Sequence, residues 1–131
     1  MNLQNWLEKS QENLATAQWC LAQGHFNACA NRLYYAMFHA GAAALLRHGV
    51  MPPKEKIEHD WLQANFSSFF IHRRKIFPAK FQPYLWDAQA LRNIADYRFH
   101  SVSKSTAARE LRKAVEFVTT IHQEFFHDAQ S

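Results

Sequence analysis

Asn31-Arg32-Leu33-Tyr34-Tyr35-Ala36-Met37-Phe38-His39-Ala40-Gly41-Ala42-Ala43-Ala44-Leu45-Leu46 is the stretch that decides the fold. With the residues just before it, Phe26, Ala30, Leu33, Met37, Gly41 and Ala44 recur at steps of four and three. Tyr34, Phe38, Ala42 and Leu45 line the adjoining face. From Leu33 to Leu46 the segment is apolar nearly all round, so it predicts a buried central helix. Its fourteen residues are too few to span a bilayer. Gly41, set among alanines, leaves room for another helix to approach closely.

Breakers at Gly24, at Gly49 to Pro53, around Pro78 to Pro83, and near Ser101 to Ser105 divide the rest into helical pieces. The first carries Leu3, Trp6, Leu7, Leu14, Ala17 and Leu21. A third, Lys54 to about Ile71, carries Ile57, Trp61, Leu62, Phe66, Phe69 and Phe70. A fourth, Tyr84 to about Phe99, carries Leu85, Ala88, Leu91, Ile94 and Ala95. The last opens on an N-cap at Ser103 or Ser105 and runs through Ala108, Leu111, Val115, Val118, Ile121 and Phe125. No segment alternates with period two, so strands are not expected. The expectation is an all-α, up-and-down bundle of four to five helices, formed by one domain over residues 1–131.

Composition narrows the function classes. The 131 residues include only three glycines and four prolines but eleven phenylalanines, which describes a core-rich, loop-poor chain. A net charge of +4 suits a polyanionic partner without demanding one. Cys20 and Cys29 have no zinc-like or redox spacing and read as small buried residues of a reducing compartment. No basic region followed by an apolar run opens the chain, and the expected location is cytoplasmic. No Gly-rich phosphate loop is present, so a nucleotide would be held by side chains and helix ends. No cofactor is expected.

Arg92-Asn93-Ile94-Ala95-Asp96-Tyr97-Arg98-Phe99-His100 gathers an arginine, a carboxylate, a phenol and a histidine. On a continuous helix, Arg92, Asp96 and His100 would share one edge, because each step of four residues advances about 400°. Arginine can grip a phosphate and stabilise charge as it builds. Histidine can move a proton near neutral pH. Metal-independent cleavage of RNA requires such a set, with His100 as proton carrier and Asp96 orienting it. The plainer reading is a helical ion pair between Arg92 and Asp96, worth about 0.2–0.5 kcal/mol.

Two segments together resemble a known family. The Asn31 to Ala40 run, followed by Ala43-Ala44-Leu45-Leu46, looks like the second helix of HEPN-domain proteins, and Arg92 to Tyr97 resembles their functional helix. His59 with Phe66, and the tail Ala107, Ala108, Leu111, Ala114, Phe117 and Val118, are similar to a single-domain branch. The resemblance implies an all-α homodimer. It also implies a ribonuclease or toxin, often paired with a nucleotidyltransferase antitoxin, with the site where two protomers meet. The family motif is Arg, a polar residue, and a His, with four to six residues between the Arg and the His. Arg92 and Asn93 match its start, whereas positions 97 to 99 hold Tyr97, Arg98 and Phe99, and His100 lies one position too far. Where an antitoxin adenylylates a tyrosine of such a toxin, this chain has Phe99, with Tyr97 nearby. The alternative implied is a non-catalytic dimer that binds a nucleotide or a nucleotidyltransferase.

Arg73, Arg74, Lys75 and Lys80, interleaved with Phe77 and Phe81, form a basic cluster that could track an RNA backbone. Otherwise it is a solvated loop whose phenylalanines turn into the core. His59 is either a hydrogen-bonded core histidine or part of a cleft beside Arg92, and His39 reads as a core histidine. His122, Glu124 and His127 make no helical metal pair, since i, i+5 splits side chains by about 140°. No metal site is expected.

Overall fold

A computed structural model describes the backbone of residues 2–130 and the side chains of residues 2–125. Five helices run in the order α1 (Leu3–Ala22), α2 (Phe26–Arg47), α3 (His59–Phe66), α4 (Phe81–Tyr97) and α5 (Lys104–Gln130). A π-helical turn, Ser67–Arg73, continues α3 directly. There is no strand among the described residues, and no helix there is long and apolar enough to cross a membrane.

The first two helices end where the sequence placed glycines. Gly24 and Gly49 have φ of +78° and +80°, which glycine adopts without a Cβ penalty. At each end the amide of the following residue reaches back into the last turn. His25 N–H donates to the Cys20 carbonyl at 2.8 Å and Val50 N–H to that of Leu45 at 2.9 Å, the Schellman pattern.

α2 is the axis of the bundle, packing against α1, α3, α4 and α5. Leu33, Tyr34, Ala36, Met37, Ala40 and every residue from Ala42 to Leu45 are fully buried. Each buried Leu or Met there contributes about 1.5–3 kcal/mol over exposure. The approach foreseen at Gly41 is made by α3. A Cβ at position 41 would stand 3.5 Å from Phe66 and 3.6 Å from Leu62, ordinary contact distances. Gly41→Ala should therefore be tolerated, or raise stability by up to about 1 kcal/mol through helix propensity. A branched Gly41→Val should clash. Urea denaturation of the two variants checks the contrast.

Three expected boundaries are corrected. Residues 54–58 are not helical and α3 starts at His59. Beyond Phe66 the coil widens into the π turn, which buries Phe69, Phe70 and Ile71 in succession. α4 starts at Phe81 rather than Tyr84. Pro83 falls in its first turn, where an amide has no intrahelical acceptor and its loss costs little. α4 ends at Tyr97, with Arg98 extended at ψ 160°. Val102 is buried, and its N–H donates to Asn27 Oδ1 at 2.8 Å, tying the chain after α4 to the start of α2. The fifth helix opens as read: Ser103 Oγ accepts from Thr106 N–H at 3.2 Å. Cys20 and Cys29 are free and buried.

Candidate functional site

Arg92 is the centre of a polar network between α2, α3 and α4. Its Nη2 donates to Tyr35 Oη at 3.0 Å and its Nη1 to Asn93 Oδ1 at 2.9 Å. Nε lies 3.3 Å from Asp96 Oδ2. Asp96 Oδ2 also accepts from Asn31 Nδ2 at 3.0 Å, which joins α4 to α2. The guanidinium stands 5.5 Å from the ring centres of Tyr35 and Tyr97 and 5.9 Å from that of Tyr34. Only 14% of the Arg92 side chain is exposed. The cation is thus pre-oriented by π faces and three polar partners, an arrangement that would cut the entropy lost on gripping an anion.

His59 belongs to the same network. Its Nδ1 is hydrogen-bonded to Tyr34 Oη. Its ring stacks 5.5 Å from Tyr34 and lies 5.0 Å from Phe38. Burial, then the nearby positive charge of Arg92, holds its pKa below the ordinary histidine value. In the tautomer whose Nδ1–H donates to Tyr34 Oη, the neutral imidazole presents Nε2 as the nitrogen that can accept a proton. Burial first, and the Tyr35 hydroxyl next, push the Tyr34 phenol well above its ordinary value, so it stays protonated.

The expected shared edge of Arg92, Asp96 and His100 does not form. The helix ends at Tyr97 and residues 98–100 bend away, so Asp96 serves Asn31 and Arg92 instead of orienting His100. His100 instead lines an open groove of about 430 Å³ with Asn93, Ile94 and Arg98. Tyr97 is 73% exposed. His59 combines its two expected places, hydrogen-bonded to Tyr34 and beside Arg92, whereas Asn31, Tyr34 and Tyr35 were not assigned roles from spacing. The paired tyrosines of α2 were the available signal, since only a partner across the bundle reveals what their hydroxyls meet.

The basic cluster separates. Arg73 and Arg74 are exposed with their guanidinium carbons 5.9 and 5.5 Å from the Phe69 ring centre. Lys75 adopts a left-handed φ of +53° that closes the π turn. Lys80 is paired with Glu116 of α5 at 2.9 Å. Phe77 and Phe81 are buried, so their rings do not stack on a base. His122 is buried against Gln11, and Glu124 pairs with His48 at 2.8 Å. The side chain of His127 lies outside the described residues.

His39, against Trp6 and Asn13 and near Lys9, has its pKa lowered to about 4, chiefly by burial. His59 and His122 shift the same way. The unfolded chain takes up these protons first, so stability is complete above about pH 6.5 and drains as pH falls toward about 4. Thermal melts across that window should fall with pH, and His39→Gln should flatten the slope.

The model of one protein family, the HEPN domain, matches residues 3–125. Among curated proteins no sequence matches this one.

Proposed function

We propose a role that proceeds from one fact: this chain belongs to the HEPN domain family. The Arg92 network is an anion site for the phosphodiester of RNA. The observation that carries this reading is a mostly buried arginine, held by Tyr35, Asn93 and Asp96, in the same network as a histidine disfavoured from charging. Arg92 and Asn93 hold the phosphate. His59 takes the proton of the 2′-hydroxyl, whose oxygen attacks phosphorus. His100, in the groove shared with Asn93, gives a proton to the departing 5′-oxygen. The products are a cyclic phosphate and a 5′-hydroxyl, and no metal or cofactor is needed to balance the step. His59 thereby supplies a proton acceptor where the motif position holds Tyr97. Arg73, Arg74 and Lys75 add long-range attraction for the RNA backbone, with Lys80 largely neutralised by Glu116.

The chain acts as a homodimer through the C-terminal end of α4, where Ile94, Tyr97 and Phe99 are exposed beside the groove of Asn93, Arg98 and His100. A second reading draws on the same exposure. Tyr97 is accessible to a modifying enzyme, which supports a toxin-like chain bound and adenylylated by a nucleotidyltransferase antitoxin, or a non-catalytic dimer that binds that partner or a nucleotide. Incubation of the folded protein with RNA oligonucleotides, with Arg92→Ala, His59→Ala and His100→Ala as controls, decides between them. A folded dimer that neither cleaves nor binds RNA overturns the RNA reading. Co-purification of a nucleotidyltransferase, with mass added at Tyr97, favours the second.

A further inference from the structure

We propose that the groove between the π-helical turn and α4 is a nucleobase subsite. Trp86 is its stacking platform and Asp60 its acceptor for the exocyclic amine of the base. The proposal deepens the phosphate reading of Arg92 by giving that phosphate's nucleoside a place.

The groove measures about 520 Å³. Trp86 forms part of its wall with 64% of its surface exposed, so the indole contributes little to the core. An aromatic face left in water beside a polar cleft is the arrangement on which an unpaired base stacks. The other walls present short hydrogen-bonding groups: Gln63, Ser68, His72 and Gln82. Gln63 Nε2 donates to Gln89 Oε1 at 2.9 Å, which fixes that wall to α4. The π turn has a purpose here. Ser67 and His72 both line the groove, five residues apart. On an α-helix that spacing splits side chains by about 140°, whereas closure at i→i+5 brings them to one side.

Electrostatics orient the ligand. Among the described residues the groove lining holds no lysine or arginine, and Asp60 stands in it. A phosphate is repelled there, while a carboxylate accepts well from a base amine. A smaller cleft of about 150 Å³ shares Asp60 and Trp86 with this groove and ends at Asn93, the residue that accepts from Arg92. Trp86 and Asn93 are seven residues apart on α4, so they share a face about 10 Å apart along the axis. That separation lets one extended nucleotide lay its base on Trp86 and its phosphate at Arg92.

The test is calorimetric binding of guanosine monophosphate, uridine monophosphate, free guanosine and inorganic phosphate to the purified protein. Wild type should bind guanosine monophosphate more tightly than either phosphate or uridine monophosphate. Trp86→Ala should weaken guanosine monophosphate about tenfold and leave inorganic phosphate unchanged. Trp86→Phe should recover most of the loss, and Asp60→Asn should shrink the preference for guanine over uracil. Arg92→Ala should abolish phosphate binding but keep that of free guanosine, so failure of the phosphate site is distinguishable from failure of the subsite. The proposal is overturned if the base adds no affinity in wild type, or if Trp86→Ala leaves guanosine monophosphate unaffected. It is also overturned if Trp86→Ala weakens binding only by converting a dimer to monomers in sedimentation, which would assign the indole to a second copy of the chain.

Discussion

Arg92→Ala is expected to lower RNA cleavage by at least about a hundredfold, and RNA or nucleotide affinity with it, while the protein stays folded. Loss of one preorganised donor to a developing oxyanion costs that much in other active sites, and Arg92 brings a full charge as well as donors. The same substitution strands Asp96, whose Oδ2 keeps only Asn31 as a donor. It also removes the cation that helps hold His59 neutral. The pKa of His59 should therefore rise toward its ordinary value, and any residual activity should lose rate at a higher pH than wild type. Arg92→Lys keeps the charge but cannot reach Tyr35, Asn93 and Asp96 with one ammonium, so it should recover little. Melting curves of Arg92→Ala and rates measured across pH separate a lost phosphate grip from a lost fold. Equal cleavage by wild type and Arg92→Ala would remove the arginine from the mechanism.

What the sequence made legible depends on whether the deciding interaction is local. The burial of α2 could be read because it needs only an all-round apolar pattern, and Gly24, Gly49 and Ser103 mark ends whose hydrogen bonds close within six residues. The end of α4 was not legible in the same way. No glycine or proline stands between Tyr97 and Val102. The helix stops because Val102 is drawn into the core and its amide is taken by Asn27, 75 residues away. That non-local tie moved His100 off the edge of Arg92. The converse holds for His59. Its place beside Arg92 depends on Tyr34 from α2, and only the packing of α3 on Gly41 brings them together. The π turn was hidden because Phe66, Phe69 and Phe70 fit an ordinary helical spacing equally well.

Phe66→Ala is expected to destabilise the protein by about 3–5 kcal/mol, the usual range for removal of a buried phenylalanine. The ring is 1% exposed and lies 5.0 Å from Phe70, 5.2 Å from Phe117 and 5.7 Å from Phe77. It also fills the space left by Gly41. One side chain thus joins α2, α5, the π turn and the segment that leads into α4. The three aromatic neighbours are themselves packed against other rings, so the site cannot collapse to fill the void. Such a loss is a large share of the 5–15 kcal/mol typical of a domain. The damage should extend to function, because Phe66 ends α3 and His59 begins it, two turns away. With its anchor gone, α3 can shift along α2 and loosen the contact of His59 with Tyr34. Phe66→Leu restores most of the volume and should recover most of the stability, yet RNA cleavage should recover less, because a shift of the reacting groups by about 1 Å costs roughly a hundredfold. Denaturant titration and RNA cleavage, run on both variants, check the two effects separately. Full activity in a Phe66→Leu protein of reduced stability would show that α3 does not position His59 through this ring.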